Sequence, residues 1–260
     1  MDIKETAIKA AREAGKLLRK NLGHTISVEY KGEVDLVTEM DRRSEDCIVG
    51  LIRKAFPGHG ILAEEGSGRE SSSGARGARW IIDPLDGTTN YAHGLPTFCV
   101  SIAFEESGRV KLGVVYDPML DEIFTAEEGK GATLNGRAIK VSSTGDISKG
   151  LLATGFPYDI RTSPDNNLDH FSRFAVTAQA IRRPGSAALD LSYVACGRFD
   201  GFWELKLHPW DVAAASLMVK EAGGEITDFR GNPFSIYGVE ALATNGLIHE
   251  EMVNILQQRS

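Results

Sequence analysis

Residues 80–90 read WIIDPLDGTTN, and this stretch carries more chemical information than any other part of the 260-residue chain. Its three apolar residues predict a short buried strand that ends at Asp83. Because Pro84 cannot donate a backbone hydrogen bond, we expect the strand to stop there. Gly87 permits a tight turn or a close backbone approach. The two threonines that follow are typical of a helix start, where unpaired amides favour a phosphate group.

Asp83 and Asp86 flank the predicted turn, so their carboxylates can both bind one cation or bracket two. The alternative interpretation is a turn held by side-chain hydrogen bonds of the Asx type. Glu64 and Glu65 favour a cation site, because they follow another short apolar strand at residues 61–63. On a strand next to that of Asp83, one of them would be a natural ligand.

Asp211 is the fourth candidate and belongs to the sequence HPWD at residues 208–211. Pro209 suits a helix start, so Asp211 falls in the first turn, where a carboxylate also complements the helix dipole. All the candidates offer oxygen, and no His/Cys cluster has the spacing of a zinc site. Hard oxygen ligands favour Mg²⁺ or Mn²⁺. Two such ions about 3.5–4 Å apart can hold a phosphate, activate water and stabilise a leaving oxygen.

Composition narrows the class of protein. A formal net charge of -7 argues against a protein that binds the nucleic-acid backbone. The sequence has no run of about 18 apolar residues, so we expect no membrane span. Cys47, Cys99 and Cys196 are widely spaced among apolar neighbours and predict reduced, buried thiols. Because the charged N-terminus also differs from a signal peptide, we predict a cytoplasmic protein.

The first half of the chain, about 1–145, has the patterns of an α+β fold. Helical spacing of apolar residues predicts one helix at the N-terminus and another from Asp41 to Phe56. Asn135-Gly136 is typical of a hairpin turn, and residues 66–79, rich in Gly, Ser and Arg, predict a loop. The predicted strands, mostly antiparallel, lie at 61–63, 80–82, 98–104, 110–116 and 122–126.

The second half, about 146–260, alternates strands with helices and therefore predicts α/β layers. Gly197 and Gly223 lie where helix C-caps are expected. The predicted strands lie near 151–154, 199–204, 225–228 and 241–244, and the helices near 166–179, 185–196, 209–222 and 248–257. We expect the two halves to form one α/β unit with the metal site between them.

Six segments of the chain resemble the inositol monophosphatase family, in that family's order and spacing. They are LVTEMD (36–41), AEEG (63–66), WIIDPLDGTTNYAHGLP (80–96), GVVYDP (113–118), GSAALDLSYVACGRFDGFWE (185–204) and HPWDVAAASLMVKEAGG (208–224). The combination of the DPLDGTTN block with the distant PWD and AGG block is highly specific. The resemblance implies a layered αβαβα sandwich of the sugar-phosphatase type, one catalytic unit over 1–260, and a homodimer.

The resemblance also implies the ligands of two Mg²⁺ ions, which Mn²⁺ could replace. Glu64, Asp83 and the main-chain carbonyl of Leu85 would bind the first ion. Asp83, Asp86 and Asp211 would bind the second, and a third, weaker ion would lie near Glu64. The implied substrate contacts are Gly87, Thr88, Gly185, Ser186, Ala187, Glu204 and Asp211. Inhibition by lithium is expected as well.

By the same resemblance, Thr88 and Asp41 would position the attacking water. Asp41 has a second interpretation from the sequence alone, because Thr38-Glu39-Met40-Asp41 is also a capping pattern at a helix start. The implied reaction is hydrolysis of a small phosphate monoester, myo-inositol 1-phosphate. It would proceed by in-line attack of metal-activated water.

Several alternatives stay open. Relatives on this fold include fructose-1,6-bisphosphatases, dual-activity enzymes, histidinol-phosphatases and nucleotide 3′-phosphatases. A second phosphate would need a cationic clamp, for which the candidates are Arg161, Arg173, Arg182, Arg183 and Lys206. A haloacid dehalogenase-type phosphatase is disfavoured, because the D-x-x-D-G-T pattern here is one residue longer than that class uses. A regulatory binding module should have lost Asp83, Asp86 or Asp211, and all three are present.

Overall fold

A computed structural model describes residues 2–24, 28–30, 36–66 and 77–258. Most of the predicted loop at 66–79 lies outside these residues. The helices are α1 (Ile3–Asn21), α2 (Glu39–Ala55), α3 (Thr88–Ala92), α4 (Leu168–Ala175), α5 (Ala187–Ala195), α6 (Pro209–Glu221) and α7 (His249–Gln257). The strands are β1 (Val28–Tyr30), β2 (Leu36–Thr38), β3 (Gly60–Ala63), β4 (Ala78–Asp86), β5 (Cys99–Glu106), β6 (Arg109–Asp117), β7 (Glu122–Glu127), β8 (Ala132–Leu134), β9 (Arg137–Ala138), β10 (Leu151–Thr154), β11 (Ala180–Arg182), β12 (Gly201–Leu205), β13 (Glu225–Thr227) and β14 (Glu240–Thr244).

Seven strands form the first large sheet, in the order β3-β4-β5-β6-β7-β8-β9. Only the β3–β4 pair is parallel among the described strands of this sheet, and the other pairs are antiparallel. Helices α1 and α2 cover one face, where Ala10 and Ala14 of α1 pack in a core with Ile82 and Val114. The alanines let the helix approach the sheet closely.

Five strands form the second sheet, in the order β11-β10-β12-β14-β13. Helices α5 and α6 lie between the two sheets, and α4 and α7 cover the outer face of the second. Residues 212–219 of α6 are all buried, because a helix between two sheets has no solvent face. The resulting five layers confirm the predicted αβαβα sandwich.

The predicted hairpin turn and the two predicted glycine helix ends were confirmed. Asn135 and Gly136 form a two-residue hairpin turn between β8 and β9, with φ of 50° and 77°. Gly197 and Gly223 end α5 and α6 with φ of 74° and 86°. The predicted helix at 166–179 was too long, because α4 ends at Ala175 and residues 176–179 form a turn that leads into the short strand β11, which was not predicted.

The prediction that the strand stops at Pro84 was wrong. Strand β4 continues to Asp86, and its pairing with β5 shifts in register between Asp83 and Asp86. Pro84 therefore lies in a bulge, where the ladder does not require the missing N–H.

Two predictions from composition concern the cysteine thiols and a membrane span. All three cysteines are unpaired, but only Cys99 is fully buried, and Cys47 and Cys196 are half-buried. Within the described ranges, none of the helices combines the length and apolar character that a membrane crossing needs.

Candidate active site

The turn between β4 and α3 orders the central residues of the site. Asp83 Oδ1 accepts a hydrogen bond from Leu85 N at 3.0 Å, and Ser44 Oγ on α2 donates to Pro84 O at 2.7 Å. Gly87 has φ of 104°, and a Cβ there would lie 2.9 Å from Thr97 O. Both conditions require glycine, and α3 begins at the next residue.

Asp41 and Thr88 form a hydrogen-bonded pair at this turn. Thr88 Oγ1 lies 2.8 Å from Asp41 Oδ1 and 3.0 Å from Leu85 O. Asp41 Oδ2 accepts hydrogen bonds from Thr38 N and Thr38 Oγ1 at 2.8 and 2.5 Å, which closes a capping box at the start of α2. The two interpretations of Asp41 are therefore compatible, because one carboxylate oxygen caps the helix and the other contacts Thr88.

Four carboxylates lie close together beside this pair, two of them on β4, one just after β3 and one on α6. Glu64 follows β3, and its N–H donates to Ile82 O on β4 at 3.2 Å. Burial raises the pKa of Asp83 well above its usual range, and the charges of Glu64, Asp86 and Asp211 raise it further. The pKa of Asp211 is raised in the same way by burial and by Glu64 and Asp86. Such carboxylates repel one another unless they bind protons or a cation.

Asp86 and Asp211 each use one oxygen to hold the fold together. Asp86 Oδ2 accepts from Ser186 Oγ at 2.7 Å and from Ala188 N at 2.8 Å, which links β4 to the start of α5. Asp211 Oδ2 accepts from His208 N at 2.6 Å, in the capping box of α6. Each carboxylate is thereby fixed in orientation while the other oxygen is not used by these bonds.

The donor set fits Mg²⁺ in an open site. Across residues 2–24, 28–30, 36–66 and 77–258, the structure has no group of three or more His, Cys, Asp or Glu side chains placed so that they could hold a metal ion. Mg²⁺ does not need such a group, because it keeps several waters and binds through one or two carboxylates and substrate phosphates. Carboxylates and the Leu85 carbonyl supply only hard oxygen ligands, which Zn²⁺ sites rarely use alone.

The residues predicted to line a sugar ring lie beside this acidic group. Gly185, Ser186 and Ala187 lead into α5, and a Cβ at Gly185 would lie 3.2 Å from Asn90 Nδ2 on α3. Glu204, near the end of β12, is half-buried. Burial raises the pKa of Glu204 to about 8; the charge of Asp86 adds to the shift and that of Arg183 opposes it. The structure therefore brings the predicted site residues to one place.

Two polar residues of this region were not singled out from the sequence. Asp190 is 1% exposed, and its Oδ1 has no hydrogen-bond partner within the described part of the chain. Burial and the charges of Glu204 and Asp86 raise its pKa well above the usual range. The signal was present, because Asp190 is the one charged residue of the apolar helix AALDLSYVA. Asn90, whose Nδ2 donates to Thr97 O and Pro184 O, gave no comparable signal.

The chain matches the model of the inositol monophosphatase family over residues 2–260. It belongs to this family. It is 47% identical over 230 residues to Nus factor SuhB of Pseudomonas aeruginosa, which covers 87% of this chain and 85% of that protein. It is 44% identical over 258 residues to inositol-1-monophosphatase of Synechocystis sp., over 97% and 88% of the two chains. The solved structure of inositol monophosphatase from Anabaena (Nostoc) sp. superposes with a TM-score of 0.89 at 45% identity, over 98% and 95% of the chains.

Membership of the inositol monophosphatase family confirms the resemblance read from the motifs, and the agreement with the Anabaena structure confirms the fold class. The family consists of metal-dependent phosphatases that act on small phosphorylated substrates. An oxygen-only donor set beside a buried threonine–aspartate pair fits that chemistry.

Proposed function

We propose that this protein is a Mg²⁺-dependent phosphomonoesterase that hydrolyses myo-inositol 1-phosphate. The observation that carries the proposal is the convergence of Glu64, Asp83, Asp86 and Asp211 beside the Asp41–Thr88 pair. Glu64, Asp83 and the Leu85 carbonyl would hold one ion, and Asp83, Asp86 and Asp211 a second. Mg²⁺ bound there would neutralise phosphate charge, activate water and stabilise the leaving oxygen.

The protein's own residues would orient the attack. Thr88 Oγ1 donates its proton to Asp41 Oδ1, so the threonine oxygen offers lone pairs to a water molecule. Asp41 stays in place because its other oxygen is fixed by two bonds from Thr38. The amides of Gly87 and Thr88 would contact the phosphate, and Gly185, Ser186, Ala187 and Glu204 would contact the ring.

Phosphate release from myo-inositol 1-phosphate tests this proposal. The reaction is run with Mg²⁺, with EDTA, and with Mg²⁺ plus lithium, on the wild type and on Asp86→Asn. Asp46→Asn is the matched control, since Asp46 is an exposed aspartate on α2. We expect metal-dependent release that lithium inhibits, that Asp86→Asn loses and that Asp46→Asn keeps. Release that persists in EDTA would count against the assignment.

A second phosphate on the substrate is the main alternative within the same chemistry. Among the candidate clamp residues, Arg183 acts on the ring contacts, because its charge lowers the pKa of both Glu204 and Asp190. Its guanidinium lies over the Phe156 ring, 5.9 Å from the centroid. Lys206 donates instead to Asp159 and Ser163. Turnover of fructose 1,6-bisphosphate that Arg183→Gln selectively lowers would support a bisphosphatase activity.

A regulatory binding module is the second candidate function. One observation favours it, namely 47% identity to a relative named Nus factor SuhB. A panel of phosphomonoesters assayed with Mg²⁺ separates the two. Turnover of any member supports the enzyme, and no turnover across the panel favours the module. A homodimer and a cytoplasmic location stay predictions, which sedimentation and cell fractionation test.

A further inference from the structure

Gly155 leaves the space in which the carboxylate of Glu204 lies. A Cβ built at Gly155 would lie 2.0 Å from Oε1 and 2.4 Å from Oε2 of Glu204. Real Cβ atoms do not approach that closely, so any other residue here would displace the carboxylate or the strand. The backbone of Gly155 is not in the left-handed region. Space for Glu204, and not backbone conformation, is therefore what requires glycine at this position.

The strand register explains why these two residues meet. Strands β10 and β12 are parallel, and Thr154 pairs with Trp203, so the next residues along, Gly155 and Glu204, lie side by side. Side chains alternate between the faces of a sheet. Trp203 packs in the outer core beside Phe174 of α4. Glu204 therefore faces the opposite side, where α5 and the acidic residues lie.

Asn167, immediately before α4, holds β10 and β12 in this register through three side-chain hydrogen bonds. Its Nδ2 donates to Gly155 O at 2.7 Å and to Thr154 Oγ1 at 2.9 Å, and its Oδ1 accepts from Trp203 Nε1 at 2.8 Å. Thr154 Oγ1 donates in turn to Trp203 O at 2.6 Å. Asn167 is 3% exposed and holds φ of 72°, which is unusual for a residue other than glycine. One side chain thus ties both strands together beside Glu204.

We propose that Gly155 and Asn167 are positioning residues that set the place of Glu204 and thereby the selectivity for hydroxylated substrates. This inference rests on the proposed function, in which Glu204 accepts hydrogen bonds from ring hydroxyls. A polar group aimed at a substrate hydroxyl discriminates strongly against esters that lack it. The discrimination depends on where the carboxylate lies, and Gly155 and Asn167 determine that place.

A double-mutant cycle tests the inference. Gly155→Ala, Glu204→Ala and the double variant are assayed with Mg²⁺ on myo-inositol 1-phosphate and on p-nitrophenyl phosphate, which has no hydroxyl groups. Gly145→Ala is the matched control, because Gly145 is exposed and has nothing within 4 Å of its added Cβ. Thermal unfolding verifies that each variant is folded.

We expect Gly155→Ala to lower kcat/KM for the inositol ester about tenfold, the effect of one lost hydrogen bond. The change should leave p-nitrophenyl phosphate within about twofold and should add nothing in the Glu204→Ala background. Equal losses on both esters, or losses that multiply in the double variant, would overturn the inference while leaving the phosphatase intact. A wild type that hydrolyses neither ester would instead overturn the proposed function, and the inference with it.

Asn167→Gly gives an independent test if the alanine at 155 prevents folding. Glycine keeps the positive φ and removes only the three side-chain hydrogen bonds. We expect the same selective loss for the inositol ester, with a lower melting temperature. A melting temperature that falls with unchanged selectivity would show a purely structural role for Asn167 and contradict the proposal.

Discussion

The two sides of this site are built in different ways. The acidic side consists of Glu64, Asp83, Asp86 and Asp211 with the Asp41–Thr88 pair, and half of these residues, Asp83, Asp86 and Thr88, lie within six consecutive positions at the end of β4 and the start of α3. The ring side consists of Gly155, Asn167, Gly185, Ser186, Ala187 and Glu204, from four separate segments. The short segment 83–88 fixes three of the acidic-side residues relative to one another, whereas the ring side depends on strand register and on the hydrogen bonds of Asn167. We therefore expect changes on the acidic side to abolish turnover and changes on the ring side to alter selectivity.

Asp83→Asn should have the largest effect. Because Asp83 is the residue proposed to contact both ions, its loss should lower kcat/KM about a thousandfold, equally for substrates with and without hydroxyls. The same change removes a buried carboxyl group whose ionised form is disfavoured by burial and by three neighbouring carboxylates, so the melting temperature in EDTA should rise. Phosphate release and thermal unfolding measure the two effects. An Asp83→Asn protein that is less stable in EDTA would contradict the repulsion inferred for the acidic side.

Thr88→Val tests whether the hydroxyl takes part in turnover. The change keeps the shape of the side chain and leaves Asp41 Oδ1 without its 2.8 Å donor. We expect kcat to fall about a hundredfold for both ester types, and the free energy of unfolding to fall by about 1–3 kcal/mol. Thr88→Ser, which keeps the hydroxyl, should restore most of the activity. If serine and valine were equally inactive, the methyl group and not the hydroxyl would be responsible.

Ser186→Ala tests a hydrogen bond that connects the ring side to the acidic side. Ser186 Oγ donates to Asp86 Oδ2 at 2.7 Å, so a ring-side residue orients an acidic-side carboxylate. Loss of such a supporting bond typically lowers metal affinity 10–100-fold. We expect the Mg²⁺ concentration for half-maximal activity to rise by about tenfold or more, with little change in the maximal rate. Ser192→Ala is a suitable control, because the hydrogen bonds of its hydroxyl go to Ala188 O at 2.7 Å and to Met218 Sδ at 3.7 Å and not to a predicted metal ligand. An unchanged Mg²⁺ dependence would show that this ring-side bond does not affect metal binding on the acidic side.

The same contrast explains what the sequence could predict. Asp83, Asp86, Glu64 and Asp211 could be singled out because each lies close to a strand end or helix start that the sequence predicts. The strand end predicted at Pro84 was wrong, because a residue without an N–H can also lie in a bulge within a strand. The bulge is defined by the pairing of β4 with β5, which the sequence does not show. Gly155 and Asn167 were not predictable, because their role arises from the pairing of Thr154 with Trp203, and a single sequence does not specify that register.

Acid should weaken the protein through His249, which supports the second sheet behind the ring side. Thr227 Oγ1 donates to Asp228 O, so it accepts from His249 Nε2 at 3.0 Å, while Nδ1 lies 2.9 Å from Thr244 Oγ1. These contacts suit the neutral ring. Burial lowers the pKa of His249 below its usual 6.5, and Glu225, 3.8 Å away, opposes the shift only in part.

Since the unfolded chain binds this proton more readily, the contribution of His249 is complete above about pH 6.5 and is lost as the pH falls through the lower folded pKa. The free energy of unfolding, measured with urea across this range, should decline as the pH falls, and His249→Gln should make this decline smaller. The exposed His24→Gln should leave the decline unchanged. Thr227 and Thr244 lie on β13 and β14, whereas the predicted ring contacts depend on the pairing of β10 with β12. The loss of stability should therefore not alter selectivity between esters with and without hydroxyl groups while the protein stays folded. A parallel change in selectivity would mean that the register on which the ring side depends is coupled to the stability of the far edge of its sheet.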